Sequence, residues 1–230
     1  IFELLDIKID IEDSKGAKDI IVEKGSIEFK DVNFEYNYNE PVLKNLNFKI
    51  NENETVGLVG PTGSGKTTIA SLIHRFYEIK NGSILIDDQD LHEVTQSSLS
   101  ENISMVLQDP IIFSGTVEDN IKYKAIATRE EVIEASKVVG SHDFIMTLPK
   151  GYDTILEESG ANISIGQRQL LSFARALLLN SKIFILDEAT SYIDSYTERQ
   201  IQKALDEVLK NRTGIIIAHR LSTIKNADKI

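Results

Sequence analysis

Residues 60–68 read GPTGSGKTT, and their types and spacing suit the gripping of phosphate. Gly60, Gly63 and Gly65 let the backbone around Pro61, Thr62 and Ser64 curl, so that successive N–H groups face anionic oxygens. Lys66 then reaches terminal phosphates as a point charge, and the Thr67 hydroxyl can coordinate Mg²⁺, with Thr68 behind it. A second stretch, KIFILDEATS, runs an apolar strand into Asp187 and Glu188. One carboxylate there suits the shell of a magnesium ion, and the next can orient or deprotonate a water. A third stretch, ANISIGQRQLL at 161–171, sets small polar residues and Gly166 ahead of an apolar helix. Bare N–H groups at such a helix start form another anion seat. His219 follows the apolar run GIIIA, a place where strand ends line nucleotide crevices. A single domain holding two grips on phosphate raises the question of what the second one serves.

These residues need rigid elements to hold them. ETVGLVG reads as a short apolar strand, and KTTIASLIHRFY after the loop has helical spacing, giving strand, loop and helix in succession. Upstream, Ile27 and Phe29, then Val32, Phe34 and Tyr36, alternate with polar neighbours as half-buried antiparallel strands do, and PVLKNLNFKI repeats the pattern. SILID and SMVLQ read as further strands, and a block near 116–150 is helical and charged. KIFILD and GIIIAH return to buried strands around the helix SYTERQIQKALDEVLK. Strands alternating with helices predict an α/β fold whose parallel sheet is covered on both faces.

At 230 residues the chain suffices for one well-buried domain. Its net charge of −11 argues against nucleic acid as a partner, because phosphodiester backbones are held by many lysines and arginines. With no cysteine, thiol catalysis and disulfides are excluded. The histidines His74, His92 and His142 show no metal-ligand spacing. Its longest apolar runs are far too short to span a membrane. The opening IFELLDIKIDIEDSKGAKDIIVEKG reads as a helix end followed by a loose charged connector.

GPTGSGKTT, VLQDP, ISIGQRQ, ILDEATS and IIIAHRLST, in this order and at these separations, closely resemble the nucleotide-binding domain of exporter-type ATP-binding cassette (ABC) transporters. The resemblance implies a P-loop NTPase fold with a mainly parallel sheet core flanked by helices, an antiparallel β-subdomain and a helical signature subdomain near 109–165. It also implies ATP and Mg²⁺ as ligands. Two such domains meet head to tail in that family, the signature of one covering the γ-phosphate held by the other, so the second grip would serve a partner's ATP.

Residue by residue, the resemblance makes Tyr36 the aromatic that stacks on adenine, with Tyr38 as the alternative. Gln108 corresponds to the glutamine that contacts Mg²⁺ and the attacking water and senses the membrane domain. Ser164, Gly166 and Gln167 correspond to the signature, and Asp187 to the magnesium-shell aspartate. Glu188 becomes the catalytic glutamate, Asp194 the aspartate of the following loop, which could equally cap a helix, and His219 the switch histidine on the γ-phosphate. The signature departs from the usual LSGGQ: Ile163 replaces leucine and Ile165 the first glycine, a position where a β-branched residue tolerates fewer backbone angles. LEESGANIS resembles the exporter X-loop, with Glu158 in place and Ser159 where arginine is frequent.

These readings predict a linker over 1–24, following an N-terminally fused transmembrane domain, and a nucleotide-binding domain over 25–230 that stops short of the family's usual end. The domain is expected on the cytoplasmic face of a membrane. Its expected partners are a second nucleotide-binding domain, in a homo- or heterodimer, and the membrane domain, met near Gln108 and Glu158. The alternatives are a soluble cassette ATPase acting on ribosomes or chromosomes, and a small-molecule kinase, which would have no use for ISIGQRQ.

Overall fold

A computed structural model describes residues 11–187, 195–218 and 221–230. The first part of the chain forms β1 (Ile27–Glu35), β2 (Pro41–Ile50), β3 (Thr55–Leu58), α1 (Lys66–Ile73), β4 (Asn81–Ile86) and β5 (Gln89–Asp90). Next come α2 (Gln96–Asn102), β6 (Ile103–Val106), β7 (Gly115–Thr116), α3 (Val117–Lys122), α4 (Arg129–Val138), α5 (His142–Thr147) and β8 (Ile155–Leu156). The last part holds α6 (Ile165–Leu179), β9 (Ile183–Asp187), α7 (Ser195–Leu209), β10 (Thr213–Ile217) and α8 (Leu221–Ile224).

The strands sort into an antiparallel sheet ordered β2-β1-β4-β5, a parallel sheet ordered β3-β10-β9-β6 and a small ribbon of β7 and β8. In the parallel sheet, Ile217 lies level with both Leu58 and Asp187, so three strands end in one row. Alternation along β9 and β10 sends Ile183, Ile185, Ile215 and Ile217 into a core shared with α1 and the antiparallel sheet. Phe184, Leu186 and Ile216 enter the other core, with Phe173 of α6 and Leu205 and Val208 of α7. Both faces are buried, which is why these strands read as unbroken apolar runs.

Two local features differ from the sequence reading. The phase break between Phe29 and Val32 is an irregularity inside one strand, since the pairing of β1 with β2 shifts there and Asp31 turns left-handed at φ 50. α1 stops at Ile73, ahead of HRFY, because Arg75 adopts φ 52. Its buried guanidinium there bonds Val94 O at 2.9 Å, Glu12 O at 3.1 Å and the Glu78 carboxylate at 2.7 Å.

The connector expected to be loose is instead stitched down wherever it is described. Lys18 N donates to Glu93 O at 3.0 Å, Ile20 N to Ser98 Oγ at 2.9 Å and Gln89 Nε2 to Ile21 O at 2.7 Å. Composition could not show this, since groups from across the fold, the Glu93 carbonyl and the Ser98 and Gln89 side chains, make these bonds to its backbone. Asp87, in the β4–β5 turn, is the tightest clamp. Its Oδ2 accepts the N–H groups of Glu23, Lys24 and Gly25 at 3.0, 2.9 and 3.0 Å, and its Oδ1 accepts Ser26 N at 2.8 Å.

Burial acts to raise the Asp87 pKa, but the N–H donors of residues 24–26 prevail and hold it below its ordinary value. A carboxyl lowered by folding stabilises fully above its unfolded pKa, about 4, and that contribution is lost as pH falls through the folded value. Asp87→Ala is therefore expected to cost about 1–3 kcal/mol at pH 7, with the deficit shrinking toward pH 3. Urea unfolding at the two pH values checks this.

Candidate nucleotide site

The loop between β3 and α1 is built for close backbone approach. Gly65 caps α1 at φ 91 with no side chain capping the helix, so the first N–H groups of α1 face outward. A Cβ at Gly65 would come 2.8 Å from Leu43 Cδ2, so β2 leaves room only for glycine. Lys66 is buried, and its ammonium donates to the loop's own carbonyls, Gly60 O at 2.8 Å and Pro61 O at 2.9 Å. The charge is thus fixed over the loop. Thr67, next on the helix, is exposed. Pro61, Thr62, Gly63 and Ser64 are exposed as well, so the loop's outer surface is open to a ligand.

Tyr36 is joined to this loop by a 2.9 Å hydrogen bond between its hydroxyl and that of buried Thr68. Phe34 and Tyr77 hold its ring edge to face, at centroid distances of 4.9 and 5.0 Å. Tyr38 is 82% exposed, against 50% for Tyr36. Of the two tyrosines, Tyr36 is therefore the one held beside the phosphate loop. Tyr77, which braces it, was missed in the sequence because RFY read only as the end of a helix.

Of the remaining acidic and polar candidates, Asp187 and Gln108 lie at the carboxyl edge of the same parallel sheet. Asp187 is the buried last residue of β9, and Gln108 is exposed two residues beyond β6. Glu188, Asp194 and His219 lie outside the described residues; Glu188 follows β9 directly in the chain and His219 comes two residues after β10.

The stretch ANISIGQRQLL forms the start of α6. Ser164 caps α6: its Oγ accepts Gln167 N at 3.2 Å, while Gln167 Oε1 accepts Ser164 N at 2.9 Å. Ile165 is the first helical residue, so the glycine it replaces is not needed for its backbone. Gly166 is buried in the same first turn. At the far end, buried Arg212 holds the last carbonyls of α6, donating to Ala176 O at 2.9 Å and Leu177 O at 3.3 Å. Among the described residues, no hydrogen bond or ion pair joins Ser164, Gly166 or Gln167 to the phosphate loop. The turn Glu158–Gly160 precedes α6 with Ser159 left-handed at φ 56, and the Glu158 side chain lies outside the described residues.

Ser164→Ala removes the cap and, with it, a polar group of the seat. The expected cost is about 1 kcal/mol of domain stability, measured by denaturant unfolding, together with a loss of ATP turnover in the assembled protein. Unchanged turnover would leave Ser164 a helix cap and nothing more.

A glycine loop at a strand-to-helix junction, an acid ending the parallel strand two places away and helices on both faces define a P-loop nucleotide-binding domain. The family profile described as ABC transporter matches residues 43–191, and the chain belongs to that family as its ATP-binding domain. A Staphylococcus aureus (strain bovine RF122 / ET3-1) relative, named provisionally as a multidrug export ATP-binding/permease protein, is 50% identical over 232 residues. An ATP-dependent lipid A-core flippase of Desulfotalea psychrophila (strain LSv54 / DSM 12343) is 49% identical over 231 residues. Both alignments cover 100% of this chain and 40% of the relative. The structure of a bacterial Atm1-family ABC exporter with ATP bound superposes with a TM-score of 0.91 at 42% identity, over 99% of this chain and 40% of that one. The chain thus spans about two fifths of the length of these proteins.

Proposed function

We propose that this domain hydrolyses ATP to drive export across a membrane, paired head to tail with a second such domain around two nucleotides. The observation that carries this reading is the separation of the two anion seats. The loop of Lys66 and the cap of Ser164 are each formed within one copy, and among the described residues no hydrogen bond or ion pair joins them. A partner copy resolves that separation, because each seat would meet the other's nucleotide.

In this reading Tyr36 stacks on the base, the loop N–H groups of residues 60–68 cradle the phosphates and Lys66 binds the terminal ones. Thr67, Gln108 and Asp187 offer an exposed hydroxyl, an exposed amide and one carboxylate, a hard oxygen set that fits Mg²⁺ held jointly with phosphate. When bound, that ion would neutralise charge developing on the phosphate oxygens. Glu188 orients and deprotonates the attacking water, His219 contacts the γ-phosphate, and Asp194 contributes from the loop after Glu188. Ser164, Gly166 and Gln167 close on the partner's nucleotide. The domain then sits at the cytoplasmic face, below a transmembrane part of the same polypeptide met near Gln108 and Glu158.

The platform assignment separates this reading from a bare phosphate site. Tyr36→Ala is expected to weaken ATP binding about tenfold, in keeping with the loss of one base stack. Inorganic triphosphate should bind as before, and Tyr38→Ala should change neither. Titration with a fluorescent ATP analogue, displaced by each ligand, reads all three. Equal loss for ATP and triphosphate would contradict the platform.

A further inference from the structure

The ring of Tyr36 is held by aromatic residues outside the phosphate loop. Phe34 meets it at an interplanar angle of 88° and Tyr77 at 84°, and the Phe34 and Tyr77 centroids lie 5.7 Å apart, so three rings form one cluster. Edge-to-face pairs set the positive edge of one ring against the negative face of another, which fixes direction as well as contact. Tyr36 and Tyr77 are both exposed, at 50% and 44%, so the cluster opens to solvent instead of closing as core.

Tyr77 owes its place to the turn after α1. Arg75 is left-handed at φ 52, a conformation that a residue other than glycine keeps only where its surroundings impose it. Here they do. The Nε of buried Arg75 donates to Glu78 Oε1 at 2.7 Å, an ion pair that brackets Phe76 and Tyr77 in the chain. Its Nη1 donates to Val94 O at 2.9 Å and to Asp13 Oδ1 at 3.3 Å, and its Nη2 to Glu12 O at 3.1 Å. The Arg75 carbonyl accepts Gln96 Nε2 at 3.3 Å, and Phe76 N closes the helix end on Ser71 O at 2.9 Å. Both ends of the turn 75–78 are thereby fixed, which holds the Tyr77 ring against Tyr36.

We propose that Tyr77 is a positioning residue for the nucleobase, acting through Tyr36, and that Arg75 sets Tyr77 in place. The inference rests on the reading above in which Tyr36 stacks on the base. A free tyrosine would have to be ordered when a base arrives, at a cost in side-chain entropy. A ring already fixed by Phe34, Tyr77 and the Thr68 hydroxyl loses no such freedom on binding, so more of the stacking energy appears as affinity. Tyr77 has no part in the grip on phosphate, which belongs to the loop and Lys66. Its loss therefore falls on the binding of the nucleotide and not on the chemical step.

The test uses the full-length protein in lipid nanodiscs. Steady-state hydrolysis gives KM and kcat for ATP, and displacement of a fluorescent ATP analogue gives the affinities of ATP and of inorganic triphosphate. Tyr77→Ala is expected to weaken ATP binding and raise KM about fivefold, an amount that one aromatic edge contact can supply. Both kcat and triphosphate affinity should stay within about twofold. Tyr77→Phe, which keeps the ring, should restore the ATP values, and Tyr77→Leu, which keeps only apolar bulk, should not. Arg75→Lys lacks the fork that joins Glu78, Val94 and Glu12, so it should raise KM in the same way. In protein already carrying Tyr36→Ala, Tyr77→Ala should cost nothing more. An unchanged KM in Tyr77→Ala, equal weakening of ATP and triphosphate, or a loss that adds to that of Tyr36→Ala would overturn the proposal but not the platform. An unchanged KM in Arg75→Lys would overturn the part given to Arg75. If Tyr36→Ala itself leaves ATP affinity unchanged, the platform reading fails and the proposal fails with it.

Discussion

Glu188→Gln will reduce ATP turnover by about a thousandfold while leaving ATP affinity unchanged, because general-base catalysis contributes about 10²–10⁴-fold and the amide keeps the size of the acid. The expectation follows from position. β9 buries Ile183 through Asp187, so the chain leaves the sheet at its carboxyl edge with Asp187 buried and Glu188 next in sequence. Single-turnover kinetics at saturating ATP separates chemistry from binding. If turnover fell because affinity fell, Glu188 would be part of the grip on nucleotide instead of the agent that activates water.

Lys66→Ala will weaken ATP binding about a hundredfold or more, since charge-assisted hydrogen bonds are worth about 1.5–3 kcal/mol each and 1.4 kcal/mol is tenfold. The cost to stability will be small. The ammonium's present partners are two loop carbonyls, Gly60 O and Pro61 O, and Pro61 itself is exposed, so water can replace the donor. Lys66→Arg will not rescue binding, because a planar fork cannot take the place of a compact ammonium beside those carbonyls. Isothermal titration with ATP and urea unfolding of the same variants test both halves. A large stability loss without a binding loss would make Lys66 a structural strut.

The phosphate loop was legible in the sequence because its chemistry is local: glycines, lysine and hydroxyl are neighbours along one strand, loop and helix. Buried parallel strands were legible because both faces are covered, so their apolar runs are continuous. What escaped were features made by distant residues. Asp87 reads as an ordinary turn acid until residues 23–26 deliver their N–H groups to it. Arg175 reads as one cation in the helix LLSFARALLL, and only the fold brings Phe113 and Tyr123 around it. Ile165 looked like a cost to the signature because glycine usually stands there, but its place as the first helical residue makes a side chain acceptable. The pairing of Ser164 with Gln167 was readable in principle, as a serine followed three residues later by glutamine is a helix-start signal.

In the proposed dimer the two anion seats close on shared nucleotides. The most direct test is the mass of the protein carrying Glu188→Gln, by size exclusion with light scattering, with and without Mg-ATP. A nucleotide-dependent doubling of mass, weakened by Ser164→Ala, is the expected result. A protein that binds ATP and keeps its mass at every concentration would contradict it.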